Sequence, residues 1–290
     1  MTLDTPAGRA LAHVGAHARG APLDRTLRVT LTFHPDRTHH GSSVLESLAH
    51  DGRYRSQFET GTSNGGLGAR PGEARWRWEQ RMFGTAYDAA PASARPVYGA
   101  LNHRRSRSGG ALRFGSAHLR LAAHVLDRCT FCFPDSVLEP TSFGTAGAFD
   151  LLPLAEAFAA VPRTDAEEAR DGGALDAYVE AHVHGGVRLA TDVEALVLDP
   201  SFRGTQVERA ADSLGVPVAW HEGRRLPVDV LAAHPGFRGA RVVESGFRVA
   251  VDGLLDAAVL ARAARTGHED PQDLKRLWHC VARFGTPVEP

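Results

Sequence analysis

The sequence predicts an α+β chain, and three observations carry that prediction. Some segments alternate apolar and polar residues with the two-residue period of a strand. Others carry helix caps and helical spacing. The two kinds of segment follow one another without the strand–helix–strand regularity that builds a doubly wound parallel sheet. Residues 6–19 read as an amphipathic opening helix. Leu27, Val29, Leu31 and Phe33 then alternate with Arg28, Thr30 and Thr32, giving a strand with one buried face that ends at Pro35. Ser43 and Glu46 form a capping box that opens a short helix closed at Asp51-Gly52. Tyr54 to Thr60 reads as a second strand running into the glycine-rich stretch Gly61 to Gly72, and a helix over 73–83 follows.

Val97 to Leu101 and Phe114 to Leu121 read as the strands of a hairpin joined by a basic loop. Helices are expected over 149–161 and 165–170, strands over Tyr178 to Val187 and Val193 to Leu198, and a helix over 205–214. Val216 to His221 and Val242 to Val251 read as further strands. The end of the chain, 254–284, reads as two helices, the second opened by Asp270 with Pro271 at its first position. No internal repeat is visible. The proline- and alanine-rich link at 85–96 is the one plausible boundary, and residues 1–290 are expected to form a single domain.

Composition narrows the class. The chain has 290 residues, 43% hydrophobic and 23% charged, which suits a globular core and excludes a disordered chain. No apolar run is long enough for a membrane span, and Arg9, His13 and His17 interrupt any secretory core at the start, so a cytoplasmic protein is expected. A net charge of −1 lacks the basic excess that phosphate neutralisation demands, so nucleic acid is not an expected partner. Lys275 is the only lysine among 33 basic residues, a sign of coding bias towards arginine. Three cysteines make no disulfide framework.

Four constellations can carry chemistry. His34, Asp36 and Arg37 follow the end of the first strand, where side chains enter clefts; Asp36 there also suits a plain turn. Phe58 to Gly66 opens small hydroxyl residues and glycines towards an anion, without the lysine of a P-loop. On the strand from Tyr178, Glu180, His182 and His184 share one face while Val179, Ala181 and Val183 share the other. A carboxylate there suits general-base or cation-stabilising work, and the His-x-His spacing suits zinc, with His34 or His221 completing the set. Cys129-x-x-Cys132 lacks a second ligand pair nearby and reads as buried thiols, as Trp76 and Trp78 read as packing residues and Arg104, Arg105 and Arg107 as a solvated loop.

The stretches FHPDR, YRSQFETGTSNGG, RPVYGALN, RFGSAHLRL, YVEAHVHGGVRL and LVLDPSFRGT resemble a bacterial family known as a domain of unknown function, over roughly residues 25–240. The order of parts is also distantly similar to that of ADP-ribosyltransferases. That likeness implies a split mixed or antiparallel sheet around an NAD cleft with flanking helices. It implies that His34 contacts a ribose, that Arg37 belongs to the same NAD-binding set, that Thr62 and Ser63 support the nicotinamide pocket, and that Glu180 is the catalytic carboxylate. An alternative alignment places Tyr98 on the first strand and Ser116 at the hydroxyl position. Tyr178 stands where many such enzymes have Gln or Glu, two residues before the catalytic Glu. NAD is then the substrate, and the acceptor of ADP-ribose is unknown, a protein side chain or water among the choices. Two other readings stay open: a metal-dependent hydrolase built on His34, Asp36, His182 and His184, and a non-catalytic nucleotide-binding domain.

Overall fold

The computed structural model of the chain describes residues 2–39, 41–61 and 70–288. At its centre is a mixed, mostly antiparallel sheet of eight strands. In chain order these are β1 (Val29–Phe33), β2 (Val97–Leu101), β3 (Ala117–Leu121), β4 (Cys129–Phe133), β5 (Ser142–Thr145), β6 (Val179–Val183), β7 (Val193–Leu198) and β8 (Val218–Trp220). Across the sheet they run β8–β7–β3–β1–β2–β6–β4–β5, and only β7 and β8 are parallel. The sheet is continuous, not split. The segments expected as a hairpin are both strands, but β1 lies between them and pairs antiparallel with each.

The sheet's two faces differ, as the alternation in β1 predicts. Val29, Leu31 and Phe33 share one face with Val97, Leu119, Phe131, Ala181 and Leu196 in the largest apolar cluster. Helices α1 (Pro6–His17) and α2 (Val44–Asp51) come first in the chain, and Leu45 and Leu48 of α2 join that cluster. The opposite face carries Thr30, Thr32, Tyr98, Thr130, Cys132, Glu180 and His182. Its cover comes in two pieces. Over the β4–β6 end lie α1 and α3 (Ala74–Phe83), whose Val14, Trp78, Met82 and Phe83 pack with Cys132. Beyond α4 (Leu152–Ala160), α5 (Asp165–Asp171) and α6 (Gln206–Asp212), the second piece is built by α7 (Ala240–Val249), α8 (Ala257–Thr266) and α9 (Pro271–Phe284). Trp278 of α9 ties it down by donating its indole N–H to the Leu112 carbonyl at 2.9 Å.

Two expected strands are helical instead. Within 54–60 only Arg53–Tyr54 is extended, pairing with Val187–Arg188, while Gln57–Thr60 is a helical turn. Ser56 and Glu59 cap each other's backbone N–H groups there, a local capping box that outweighs the β preference of the flanking aromatics. Ala240–Val249 is helix because Val242, Ser245 and Gly246 fall on one buried face at helical spacing. Gly246 lets Leu231 approach where a Cβ would stand 2.3 Å away. β4 and β5 had no alternating signal: every residue of β4 is buried, so both of its faces look alike in sequence.

Gly99 lies in the middle of β2, opposite Ala181. A Cβ at that position would meet Leu31 Cδ2 and the Thr30 carbonyl oxygen, each at 2.6 Å. Gly99→Ala is expected to destabilise the fold by about 1–3 kcal/mol through overpacking. Denaturant unfolding checks this; an unchanged midpoint contradicts the strand spacing described here.

Candidate functional site

Where the two covering pieces leave the polar face bare, a cleft of about 660 Å³ opens, within the roughly 300–1,000 Å³ of small-molecule sites. Thr32, Tyr98, Gly99, Ala100 and Glu180 form its floor. Arg75 and Trp78 of α3 stand on one side, and Lys275, Arg276 and His279 of α9 on the other. Asp135 and Tyr178 complete the carboxylate end, with Val137 and Leu138 exposed at the lip.

Glu180 is buried, 6% exposed, and its setting explains how a carboxylate is tolerated there. His182 Nε2 lies 2.8 Å from Glu180 Oε1. His182 Nδ1 is 3.0 Å from Thr130 Oγ1, which is 3.0 Å from His184 Nε2, and His184 Nδ1 is 2.6 Å from the Tyr87 hydroxyl. An ionised carboxylate can only accept, so with one proton on each imidazole the direction of the whole chain follows. Tyr87 donates to His184, His184 to Thr130, Thr130 to His182, and His182 to Glu180. Burial, with Arg128 nearby, pushes His184 well below the ordinary imidazole range, which keeps it neutral as this order requires. Glu180 Oε1 is thus fixed from behind.

The carboxylate end holds a second acid. Asp135 accepts from the Tyr178 hydroxyl through Oδ2 and from the Val137 N–H through Oδ1 at 2.8 Å. Burial and the nearby Glu180 raise its pKa to about 6, against the opposing hydrogen bond from Tyr178. Behind the floor, Tyr98 donates to Glu79 Oε1 at 2.8 Å, and Arg95 pairs with Glu79 Oε2 at 2.6 Å. Burial raises Glu79 to about 7, with Arg95 opposing. These groups are buried structure that holds Tyr98 in the floor.

Of the candidate site residues expected from the sequence, Glu180 and Tyr98 reach the cleft, and Tyr178, Trp78 and Lys275, noted on other grounds, line it too. Thr62 and Ser63 lie outside the described residues. His34 stands beyond the cleft floor and packs edge-on against Trp278 at 5.3 Å, its pKa lowered to about 3 by burial and by Arg37. Arg37 is exposed, and Asp36, half-buried, has its pKa raised by burial. Ser116 is buried outside the cleft, and its carbonyl accepts from His221. Ser116 thus precedes β3 and does not line the cleft, and its hydroxyl is buried without a hydrogen-bond partner among the described residues.

The four-residue metal set of His34, Asp36, His182 and His184 is not assembled, since both strand histidines turn to Thr130. Among the described residues the one group with metal-ligand geometry is Cys132, Glu180 and His182. Cys129 and Cys132 are both buried, as expected, and point to opposite faces of β4, which rules out a joint zinc site. Trp78 is buried packing, and Arg104 and Arg105 pair with Glu156 and Asp24 at the surface. Sequence reasoning passed over Asp135, Arg113, Arg238 and the placement of Lys275; the lone lysine was a usable signal.

Comparison with known proteins places this geometry in context. A family model described as "Protein of unknown function (DUF3626)" matches residues 28–161 and 156–284. The chain is similar to the Gene 2 protein of Mycobacterium phage D29, at 29% identity over 61% of this chain and 69% of that protein. It is similar to the Gene 2 protein of Mycobacterium phage L5 at 28% identity, over 62% of this chain and 69% of that one. Among the described residues no helix is long and apolar enough to cross a membrane.

Thr130→Val keeps the shape of the side chain and removes the hydroxyl that joins the two histidines. It is expected to cost about 1–3 kcal/mol for each ring nitrogen left unpaired, read by chemical or thermal unfolding. Wild-type stability in this variant contradicts the hydrogen-bonded chain.

Proposed function

Because the chain belongs to the DUF3626 family, whose description assigns no reaction, we propose one from the cleft itself: an NAD-consuming enzyme of ADP-ribosyltransferase type. The observation that supports it most is Glu180, a carboxylate in the floor of a nucleotide-sized cleft, fixed through Oε1 by His182 and facing a wall of cations.

The nicotinamide–ribose bond breaks with its electron pair leaving on the nicotinamide nitrogen, so positive charge develops on the ribose. Glu180 stabilises that charge and accepts from a ribose hydroxyl through the oxygen His182 leaves open. A preorganised carboxylate in a water-poor floor does this at no reorganisation cost. The acceptor then bonds to the ribose carbon, and its proton passes to Asp135. With a pKa raised to about 6, Asp135 is ionised at neutral pH yet basic enough to take a proton. Tyr178 orients it. The residue that breaks the usual pattern two positions before Glu180 thus delivers a carboxylate from β4's far end. Val137 and Leu138, 45% and 59% exposed beside Asp135, form the lip past which the acceptor enters.

A second reading rests on the Cys132–Glu180–His182 group, whose ligand atoms lie within 4.8 Å of one another. It is a metal-dependent hydrolase.

Nicotinamide release from NAD separates these. Release that persists with a chelator and falls about 10²–10³-fold in Glu180→Gln is the expected result. Loss on chelation, with stoichiometric metal in the purified protein, supports the hydrolase. Saturable NAD binding without turnover leaves a nucleotide-binding domain.

The pH dependence has a definite sign. Asp135 acts as its carboxylate, so transfer to the acceptor rises as pH passes upward through about 6 and is lost below it. In Asp135→Asn that acid limb disappears and the plateau rate drops, by about 10²–10⁴ as for loss of a positioned base. A limb that persists in the variant contradicts the assignment.

A further inference from the structure

Arg113, Arg238 and Lys275 line the same cleft and form a cluster of cations that the proposed transfer chemistry does not explain. Lys275 stands half-buried on α9 and has no ion pair or hydrogen bond among the described residues. Arg238 spends its N–H groups on His279 Nδ1, at 3.2 Å, and on the Phe237 carbonyl, at 3.1 Å, with no carboxylate partner among those residues. Arg113 pairs with Asp176, yet its Nε is buried without an acceptor.

The surrounding carboxylates are already engaged. Glu168 is held at both oxygens by Arg283, Asp171 by Arg170, and Asp273 by Arg241. Burial first, then mutual repulsion with Arg113 and neighbouring cations, lowers the pKa of Lys275 and of Arg238. His279 goes to about 2 for the same reasons, so it sits in the wall as a neutral ring. Like charges gathered in a partly desolvated wall, with Lys275 lacking a carboxylate partner among the described residues, are costly unless an anion joins them.

We propose that Lys275, Arg238 and Arg113 bind the phosphate groups of a diphosphate-bearing ligand in this cleft. The assignment rests on the nucleotide reading of the site, and it names the chemistry that the cation wall selects. Lysine suits it: a compact ammonium with three donors can meet phosphate oxygens from several directions. Together with Glu180 it orients the ligand, phosphates on α9 and the reacting sugar on β6.

The test is calorimetric titration of the full chain with sodium pyrophosphate, ADP-ribose and adenosine, using wild type, Lys275→Gln, Lys275→Arg and Glu180→Gln. Pyrophosphate and ADP-ribose should bind the wild type, and Lys275→Gln should weaken both roughly ten- to hundredfold, the worth of one hydrogen bond to a charged group. Adenosine binding should not change, and Lys275→Arg should recover part of the loss. With its repulsion relieved, unliganded Lys275→Gln should melt no lower than wild type, so weak binding cannot be ascribed to misfolding. Equal affinity of wild type and Lys275→Gln for both anions overturns the proposal, as does failure of the wild type to bind either. Glu180→Gln should keep its affinity for pyrophosphate, which carries no ribose. If NAD is not consumed while anion binding still depends on Lys275, the transferase reading falls and the phosphate site stands.

Discussion

The hydrogen-bonded chain from Tyr87 through His184, Thr130 and His182 to Glu180 is the interaction on which the rest of this structure depends. β6 is buried along its whole length, apolar on one face and polar on the other. A buried polar face is stable only if each group finds a partner. The chain supplies those partners in a single direction. It ends on the one member that reaches the cleft, so the cost of burying two histidines and a threonine is offset by a carboxylate whose position is over-determined.

The divided cover of the polar face turns that carboxylate into a site. α1 and α3 close one end of the sheet over Cys132, the C-terminal helices close the other through Trp278, and the floor between them stays accessible. The lining is assembled from different parts of the chain. Asp135 follows β4, whereas Lys275 and His279 project from α9 and Arg238 from the turn before α7. A ligand with an anionic end and a cationic reacting centre is the complement of this layout. Glu180 and Asp135 are held differently: one is fixed by an imidazole, and the other by a phenol with its pKa raised towards neutrality.

Local patterns make part of this legible in the sequence. Two-residue alternation identified β1 and put Glu180, His182 and His184 on one side of β6, because side-chain direction in a strand is a local property. The capping box at Ser43 was readable for the same reason. The similar box at Ser56–Glu59 was hidden among aromatics that favour strands, and the helix Ala240–Val249 among valines whose β preference yields to packing against Leu231 and Leu277. β4 was invisible because residues buried on both faces show no alternation. The cation wall was beyond local reading, since Arg113, Arg238 and Lys275 meet only through the tertiary fold. Tyr178 looked like a departure from a pattern, and its hydrogen bond to Asp135 is visible only in the folded chain.

The most direct test of the central claim is a crystal structure of the chain with a non-hydrolysable NAD analogue. The account predicts the nicotinamide ribose over the β2–β6 floor, with a hydroxyl on Glu180 Oε2 and the Cys132–His182 side free of metal. A ligand seated elsewhere, or a metal ion held by Cys132, Glu180 and His182, would contradict it.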